Sequence, residues 1–533
     1  MNKGKFALMM LFSCVFSACV TAGRRITFGG DVILKYGETA IRPFVISDLL
    51  VFVLTAAAAA AVLLLARRAA DHRLSRSAEM KCEKKYGRRA LIFAAVLLAA
   101  WLPYILTVAP GNIYLDSLES ISQMLERGHP TSNHHPMFYT LMIGVFMKIG
   151  TVCFGSVNIG IFISSLFQTA VMIFCMVCVL LMMESRRAPR LMTGAALAYF
   201  MFMPYFPGYA MSLWKDVLFS CMLLLLSLLL YVLGEQDKAG KKWYILYGLV
   251  GISAMAFRNN GLYVFVGASV LAAILLRRHA KRLLLTTAAA ATAFSLAASL
   301  ATYVWDIHGD FVENLGVPLQ QLGYTIKQDG EFSDEDREYL YTLMPDHVWG
   351  YAYRPCLVDT IKWNPYFDTQ FLMETKGEFF SVWLRGLIKN PGKYIDGYLL
   401  ATHGFWKPFV QNLYGYMDVQ MHRNPYGIGF MDIFGKIFGF SLMEILKDYP
   451  VIMGSGTLLW LCLFGMTLIW MRKREGIAAY LPAMLNWATV MIATPVAFSL
   501  RYVYIFAIGL PFFIAIPFMT RGVKSKEALD SPF

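Results

Sequence analysis

The stretch VNIGIFISSLFQTAVMIFCMVCVLLMM, Val157 to Met183, runs 27 residues without one charged side chain. As a helix it rises about 40 Å, more than the ~30 Å of hydrocarbon in a bilayer. Only helices and closed barrels satisfy their backbone there, and a run this long selects a helix. Outward along the 533-residue chain the same pattern returns at Val45 to Ala66, Leu283 to Trp305 and Tyr502 to Met519. A composition of 57% hydrophobic and 16% charged residues, with a mean hydropathy of +0.52, excludes a soluble globular domain. The chain reads as an all-α polytopic membrane protein. Its first apolar run, after Lys3 and Lys5 and up to Gly23, reads as a retained span rather than a signal peptide, because so many apolar runs follow. Cys175 and Cys178 have redox-motif spacing but fall inside the quoted run, where they read as core filler. The one large polar segment holds only Cys356, so no disulfide framework can form in it.

The formal charge of +13 is unevenly placed. From Arg67 to Arg89 nine Lys or Arg stand against three acids, an excess of six, which assigns this loop to the cytoplasm. Arg186, Arg187 and Arg190, then Lys238, Lys241 and Lys242, then Arg277, Arg278, Lys281 and Arg282 read as further cytoplasmic turns, as do Arg472 to Arg474 and the tail at Arg521, Lys524 and Lys526. These charges serve orientation, and no nucleic-acid partner is expected. Threading the runs through the anchors gives about twelve spans with both termini inside. The loop from Arg24 to Arg42 then lies outside although it is mildly basic.

The scheme divides the chain. Residues 1–89 supply two N-terminal spans and the basic loop; residues 90–305 form the main module, with a first outer loop at 111–156; residues 306–450 form an extracytoplasmic unit; residues 451–533 return to the membrane. Asp306 to Pro450 carries 19 acids against 12 Lys or Arg, a net charge of minus seven that suits the outside. Near its end Phe430, Ile433, Phe434, Ile437 and Phe438 recur at helical spacing and predict an apolar face resting on lipid headgroups. Between the outer loop and Arg186 the chain must cross once but offers two apolar runs. The shorter, Met137 to Ile149, is interrupted by Lys148 and Gly150 and is expected to lie at or dip into the outer interface.

Immediately before that run stands IYLDSLESISQMLERGHPTSNHHP, Ile113 to Pro136. Leu118, Ile121 and Leu125 predict a short amphipathic helix from Leu115 to Leu125, with Asp116, Glu119 and Gln123 on its polar side. Asp116 either caps this helix or stands ready at the membrane surface for a lipid-borne substrate. Asn133, His134 and His135 follow; neighbouring histidines cannot share one helix face, so hydrogen bonding fits them better than chelation. Further polar groups fall where outer ends of spans are expected: Lys215 and Asp216 in SLWKDVLF, Arg258, Asn259 and Asn260 in AFRNNGLYVF, and Arg501 in FSLRYVYIF. An ionisable group beside hydrocarbon needs a partner or a task, so each is a candidate, with interfacial anchoring or a Lys215–Asp216 ion pair as the plain alternative.

A carboxylate and several cations at one depth suit sugar transfer from a polyprenyl phosphate. The acid takes the proton of an acceptor hydroxyl as it attacks the anomeric carbon, with inversion, and the cations stabilise charge on the departing phosphate. The sequence holds no Gly-rich nucleotide cradle.

These residues resemble a family. A basic cytoplasmic anchor, a span, an outside loop with an early acid, then HHP followed by Phe-Tyr is similar to the first outer loop of the GT-C glycosyltransferases, among them protein O-mannosyltransferases and lipid A aminoarabinose transferases. The pattern fits a bacterial branch of that superfamily. The resemblance implies a GT-C-like bundle with an outside α-rich domain and interfacial helices in the catalytic loop. It implies a polyprenyl-phosphate sugar donor, a lipid, glycan or protein acceptor, and contact with membrane lipids. It maps the catalytic base onto Asp116, a second acid onto Asp216 and a basic residue onto Arg258. Many members carry an adjacent Asp-Glu pair, whereas here Glu119 follows Asp116 by three residues, and two extra spans precede the module. Some members use a divalent cation and others none; no metal ligands are assigned here. A transporter or flippase of lipid-linked sugars is the competing reading, but such proteins often show inverted repeats and midplane sites, and neither is evident in the sequence.

Overall fold

The structure, a computed structural model, describes residues 3–27, 40–76, 86–126, 135–305, 307, 309, 311–410, 419–446, 453–472, 474–493 and 499–520, with the side chains of 74–76 excepted. Among these residues nine helical segments are long and apolar enough to cross a membrane. The only sheet among them is a pair of two-residue antiparallel strands, β1 (Ile26–Thr27) and β2 (Ala40–Ile41).

Helix α1 (Lys3–Arg24) and α2 (Ile46–Arg76) form a hairpin, held where Ser17 Oγ donates to the Phe52 carbonyl at 2.5 Å. Helix α3 (Tyr86–Val108) leads to the short α4 (Leu115–Leu125), then to α5 (Met137–Phe154) and α6 (Val157–Ser185). After α7 (Arg190–Phe202) and α8 (Tyr205–Ala210) come α9 (Lys215–Glu235), α10 (Lys241–Phe257), α11 (Gly261–Leu275) and α12 (Ala280–Trp305). Burial ranks them: α9 is 89% buried along its apolar window, whereas α2 is 11% and α12 17% buried. Helix α9 is therefore the centre of the bundle, and α2 and α12 present Leu and Val to its surroundings.

The compact helical unit that follows contains α13 (Gly316–Lys327), α14 (Asp334–Leu343), α15 (Asp346–Ala352), α16 (Asp359–Lys362), α17 (Thr369–Glu374), α18 (Lys376–Lys389) and α19 (Pro391–Trp406). Its own core is built on Trp349, Leu340, Phe379 and Tyr394. Within it Lys362, only 3% exposed, lies 3.0 Å from both Glu313 and Asp359, which compensates the burial of its charge. Two short helices, α20 (Ile433–Phe438) and α21 (Met443–Leu446), precede α22 (Ser455–Trp470), α23 (Leu481–Ala493) and α24 (Ile505–Ala515). The segments Arg474–Ala493 and Leu500–Phe518 complete the candidate spans.

Three sequence expectations change. The run expected to stop at Ile149 continues to Phe154, giving α5 18 residues. Lys148 points outward and does not break it, and Gly150 faces α6, where a Cβ would collide with the Gly160 backbone. Gly155, at φ 65°, ends the helix. Helix α5 nevertheless lies along only the first part of α6, through Gly150 against Gly160 and Phe146 against Phe167 at 5.3 Å. Second, the expected apolar face from Phe430 to Phe438 is helical only from Ile433, because Asp432 adopts a left-handed conformation and caps the helix by accepting from Gly435 N. Phe430 turns to the main core, while Ile437 and Phe438 stay exposed. Third, the 306–450 segment serves two places. Residues 311–406 hold the compact unit, whereas 419–431 run back to α3, α4 and α6.

Candidate functional site

Three distant segments are stitched together beneath the site. Asn112 N donates to the Met211 carbonyl at 2.7 Å, Ile113 N to the Gln420 carbonyl at 2.9 Å, and His422 N back to the Ile113 carbonyl at 2.9 Å. Gly111, at φ +139°, permits this approach, since a Cβ there would stand 2.8 Å from the Met211 carbonyl oxygen. Gln168 adds three hydrogen bonds to the carbonyls of Tyr209, Ala210 and Ser212. The turn before α4 and the turn before α9 are thus fixed relative to each other. One carries Asp116; the other carries Trp214, Lys215 and Asp216.

Asp116 does not cap α4. Tyr114 is the N-cap residue, its backbone N–H donates to Ser117 Oγ at 3.4 Å, and Asp116 falls within the first turn. Its carboxylate instead accepts from Arg501 Nη1 at 2.8 Å. Arg501, second in the last span, also donates from Nη2 to Tyr502 Oη at 2.9 Å and sets Nε 3.9 Å from Asp216. Arg258, at the end of α10, places Nη1 2.8 Å from the other Asp216 oxygen and 3.3 Å from the Tyr502 carbonyl. The Tyr502 ring lies under both guanidinium groups, at 5.0 Å and 4.9 Å. Lys215 Nζ lies 2.8 Å from His135 Nδ1. Lys215 and His135 thus share one hydrogen bond, whose donor depends on the histidine tautomer. Six ionisable residues expected from the sequence therefore converge: Asp116, His135, Lys215, Asp216, Arg258 and Arg501.

The other candidates fall around this cluster. Glu119 accepts from Gln123 Nε2 at 3.1 Å, one turn along α4. Asn260 donates to Thr489 at 2.8 Å and to Asn486 at 3.4 Å, and Asn486 in turn donates to the Tyr502 carbonyl at 2.8 Å, so Asn260 acts one contact away from the charges. Asn259 is exposed beyond the end of α10. Asn133 and His134 lie outside the described residues. The Lys215–Asp216 ion pair is not formed as the principal contact: Lys215 turns to His135, and Asp216 to Arg258. Tyr139, the tyrosine of the HHP and Phe-Tyr pattern, and Trp214 and Tyr502, next to singled-out charges, were given no role from sequence, yet they stand beside the charges.

Burial separates the two acids. The Asp116 side chain is 32% exposed and reachable, whereas that of Asp216 is 1% exposed and enclosed by cations. Arg258, Arg501 and Lys215 face the two carboxylates, with His135 beside Lys215. Two further buried polar atoms close by, Trp214 Nε1 and Tyr139 Oη, have no hydrogen-bond partner among the described residues. Leaving such an atom unpaired costs about 1–3 kcal/mol. The set fits an anion. Both carboxylates are engaged by guanidinium groups, and among the described residues no three His, Cys, Asp or Glu side chains form a metal-binding group.

Fold and site together define a helical polytopic membrane protein with a cation-rich cluster, holding two acids of unequal exposure, at one end of its bundle. The chain belongs to the family of unknown function DUF6020, whose match covers residues 128–530 and so contains His135, Lys215, Asp216, Arg258 and Arg501. No curated protein and no solved structure matches the chain.

Proposed function

We propose that this protein is a membrane glycosyltransferase that moves a sugar from a polyprenyl-phosphate donor to an acceptor hydroxyl on the outer face of the bacterial plasma membrane. The observation that carries this reading is the convergence of Asp116, Arg501, Asp216 and Arg258 within ion-pair distance, although they come from four separate elements. The twelve-span arrangement expected from the basic clusters puts the cluster outside, with residues 311–406 as an extracytoplasmic unit beside it. The opposite end is consistent with that orientation, since it is tied by Arg89–Glu184 and Arg186–Glu235, pairs from clusters assigned to the cytoplasm.

In the proposed reaction the donor phosphate engages Arg501 and Arg258. Competition for Arg501 frees the Asp116 carboxylate, which is the exposed acid and hence the one an acceptor can reach. Asp116 takes the acceptor proton, the acceptor oxygen bonds to the anomeric carbon, and the bond from that carbon to the phosphate oxygen breaks with its electron pair leaving on the polyprenyl phosphate. The anomeric configuration inverts. Guanidinium groups fixed by Asp216 and Tyr502 meet the developing charge without reorganising. Asp216 sets the geometry of the cations rather than exchanging protons.

The test is Asp116→Asn. Transfer should fall by at least about 10²-fold while expression and the melting temperature hold, because the side chain is partly exposed. Near-normal turnover by this variant removes the mechanism. Mass spectrometry of copurified lipid should find a polyprenyl-phosphate sugar.

A further inference from the structure

We infer that Tyr139 and Trp214 are further ligand-binding residues whose neutral donors receive oxygen atoms of the phosphate group held by Arg258 and Arg501; this rests on the reading of the site just given. Tyr139 is 2% exposed and its hydroxyl has no hydrogen-bond partner among the described residues. It stands in the first turn of α5, four residues after His135, and the charges of both Asp116 and Asp216 act on it. Trp214 is 3% exposed, and its indole N–H likewise has no partner among the described residues. Its ring is clamped, flat against Tyr114 at 4.3 Å, edge to Tyr209 at 5.3 Å and 5.3 Å from the Arg501 guanidinium.

Arg501 Nε is a third buried N–H that makes no aligned hydrogen bond, although Asp216 is 3.9 Å away. An indole and a guanidinium can only donate, and the tyrosine hydroxyl can donate as well. The two Asp216 oxygens, which likewise make no aligned hydrogen bond, face Arg258 and Arg501 as ion-pair partners, so the three N–H and O–H donors are left open. The phosphodiester of a polyprenyl-phosphate sugar offers acceptor oxygens and carries no proton that would itself need a partner. Phenylalanine would fill the Tyr139 volume without a buried hydroxyl, so the hydroxyl answers to something that binds.

The full chain in detergent is titrated with inorganic phosphate and with a polyprenyl monophosphate by calorimetry, comparing wild type with Tyr139→Phe and Trp214→Phe. Tyr139→Phe should melt at or above the wild-type temperature without ligand, since it deletes only an unpaired hydroxyl. It should bind both probes about ten-fold more weakly or worse. Equal affinity of Tyr139→Phe and wild type overturns the assignment while leaving the transferase reading intact, and a loss confined to the polyprenyl probe overturns it as well, because the contact is then with the tail. Should Trp214→Phe fail to fold, Tyr139→Phe alone decides. Binding of neither probe by wild type overturns both readings. A ten-fold loss in Tyr139→Phe together with full transfer by Asp116→Asn upholds this inference and removes only the catalytic base.

Discussion

Asp216 lies between two guanidinium groups in a place where water does not reach it, so its charge is tolerated only in company. Arg258→Ala should therefore destabilise by about 3–5 kcal/mol, because it takes the nearer of two cationic partners from a buried carboxylate. Adding Asp216→Asn to Arg258→Ala should restore much of that loss, since the stranded charge goes with it. Thermal melting of the two single variants and the double variant in one detergent gives the coupling, and simple additivity would count against a shared ion pair. Arg258, Arg501 and Asp216 could be found from sequence because a charge beside an apolar run is conspicuous. Trp214 and Tyr139 could not. In so aromatic a chain their ring chemistry does not stand out, and their value comes from an unpaired polar atom that only the packed structure exposes. Glu119 and Asn260 were legible as polar positions, but composition could not say that one bonds along its own helix and the other to Asn486.

Helices α5 and α6 meet where Gly150 and Gly160 bring their backbones together, and neither position has room for a methyl group. Gly150→Ala should force the hairpin apart at a cost of about 1–3 kcal/mol and, because His135 immediately precedes α5, weaken substrate binding as well. A melting curve together with phosphate affinity checks both effects; a loss of neither would show that the contact yields easily. The compact 311–406 unit offers a different handle. Burial alone would raise the Asp336 carboxyl, but Arg385, 2.7 Å away, and the Ser333 hydroxyl outweigh it and hold the group below its ordinary 3.8. A lowered value in the folded state means stability that is present above the ordinary value and lost as pH falls through the folded one. The unit should therefore keep constant stability from neutral pH down to about 5 and weaken below about 4, with Asp336→Asn less stable at neutral pH and flatter in acid. Intrinsic fluorescence of Trp349 and Trp383 reports it. Apolar periodicity found α4 to the residue. It misjudged where α5 ends because a lysine and a glycine in mid-helix look like a stop, whereas Lys148 faces outward and Gly150 is a packing contact.

At the scale of the molecule, charge asymmetry supplies a topology that chemistry can check. Single-cysteine proteins in a background with the other cysteines changed to Ser should differ: Cys153, exposed near the end of α5, should react with a membrane-impermeant maleimide in intact cells, whereas Arg278→Cys should react only after permeabilisation. The reverse result inverts the protein and moves the site to the cytoplasm. The polytopic helical class was legible because hydrocarbon imposes one rule on every residue of a run, although nine candidate spans among the described residues stand against about twelve expected. The path of 419–431 was not, because its attachments are backbone hydrogen bonds, which any sequence can make. Those same attachments have a temporal meaning. Residues 112 and 113 are paired with a stretch some 308 positions later, and Arg501 follows its carboxylate partner by 385. At 5–20 residues per second a ribosome needs roughly 15–60 seconds to cover the first separation and roughly 20–80 seconds to cover the second. Throughout that interval the nascent chain holds a loop whose latch has yet to be translated, so the cluster around Asp116 stays incomplete until Arg501 has been made.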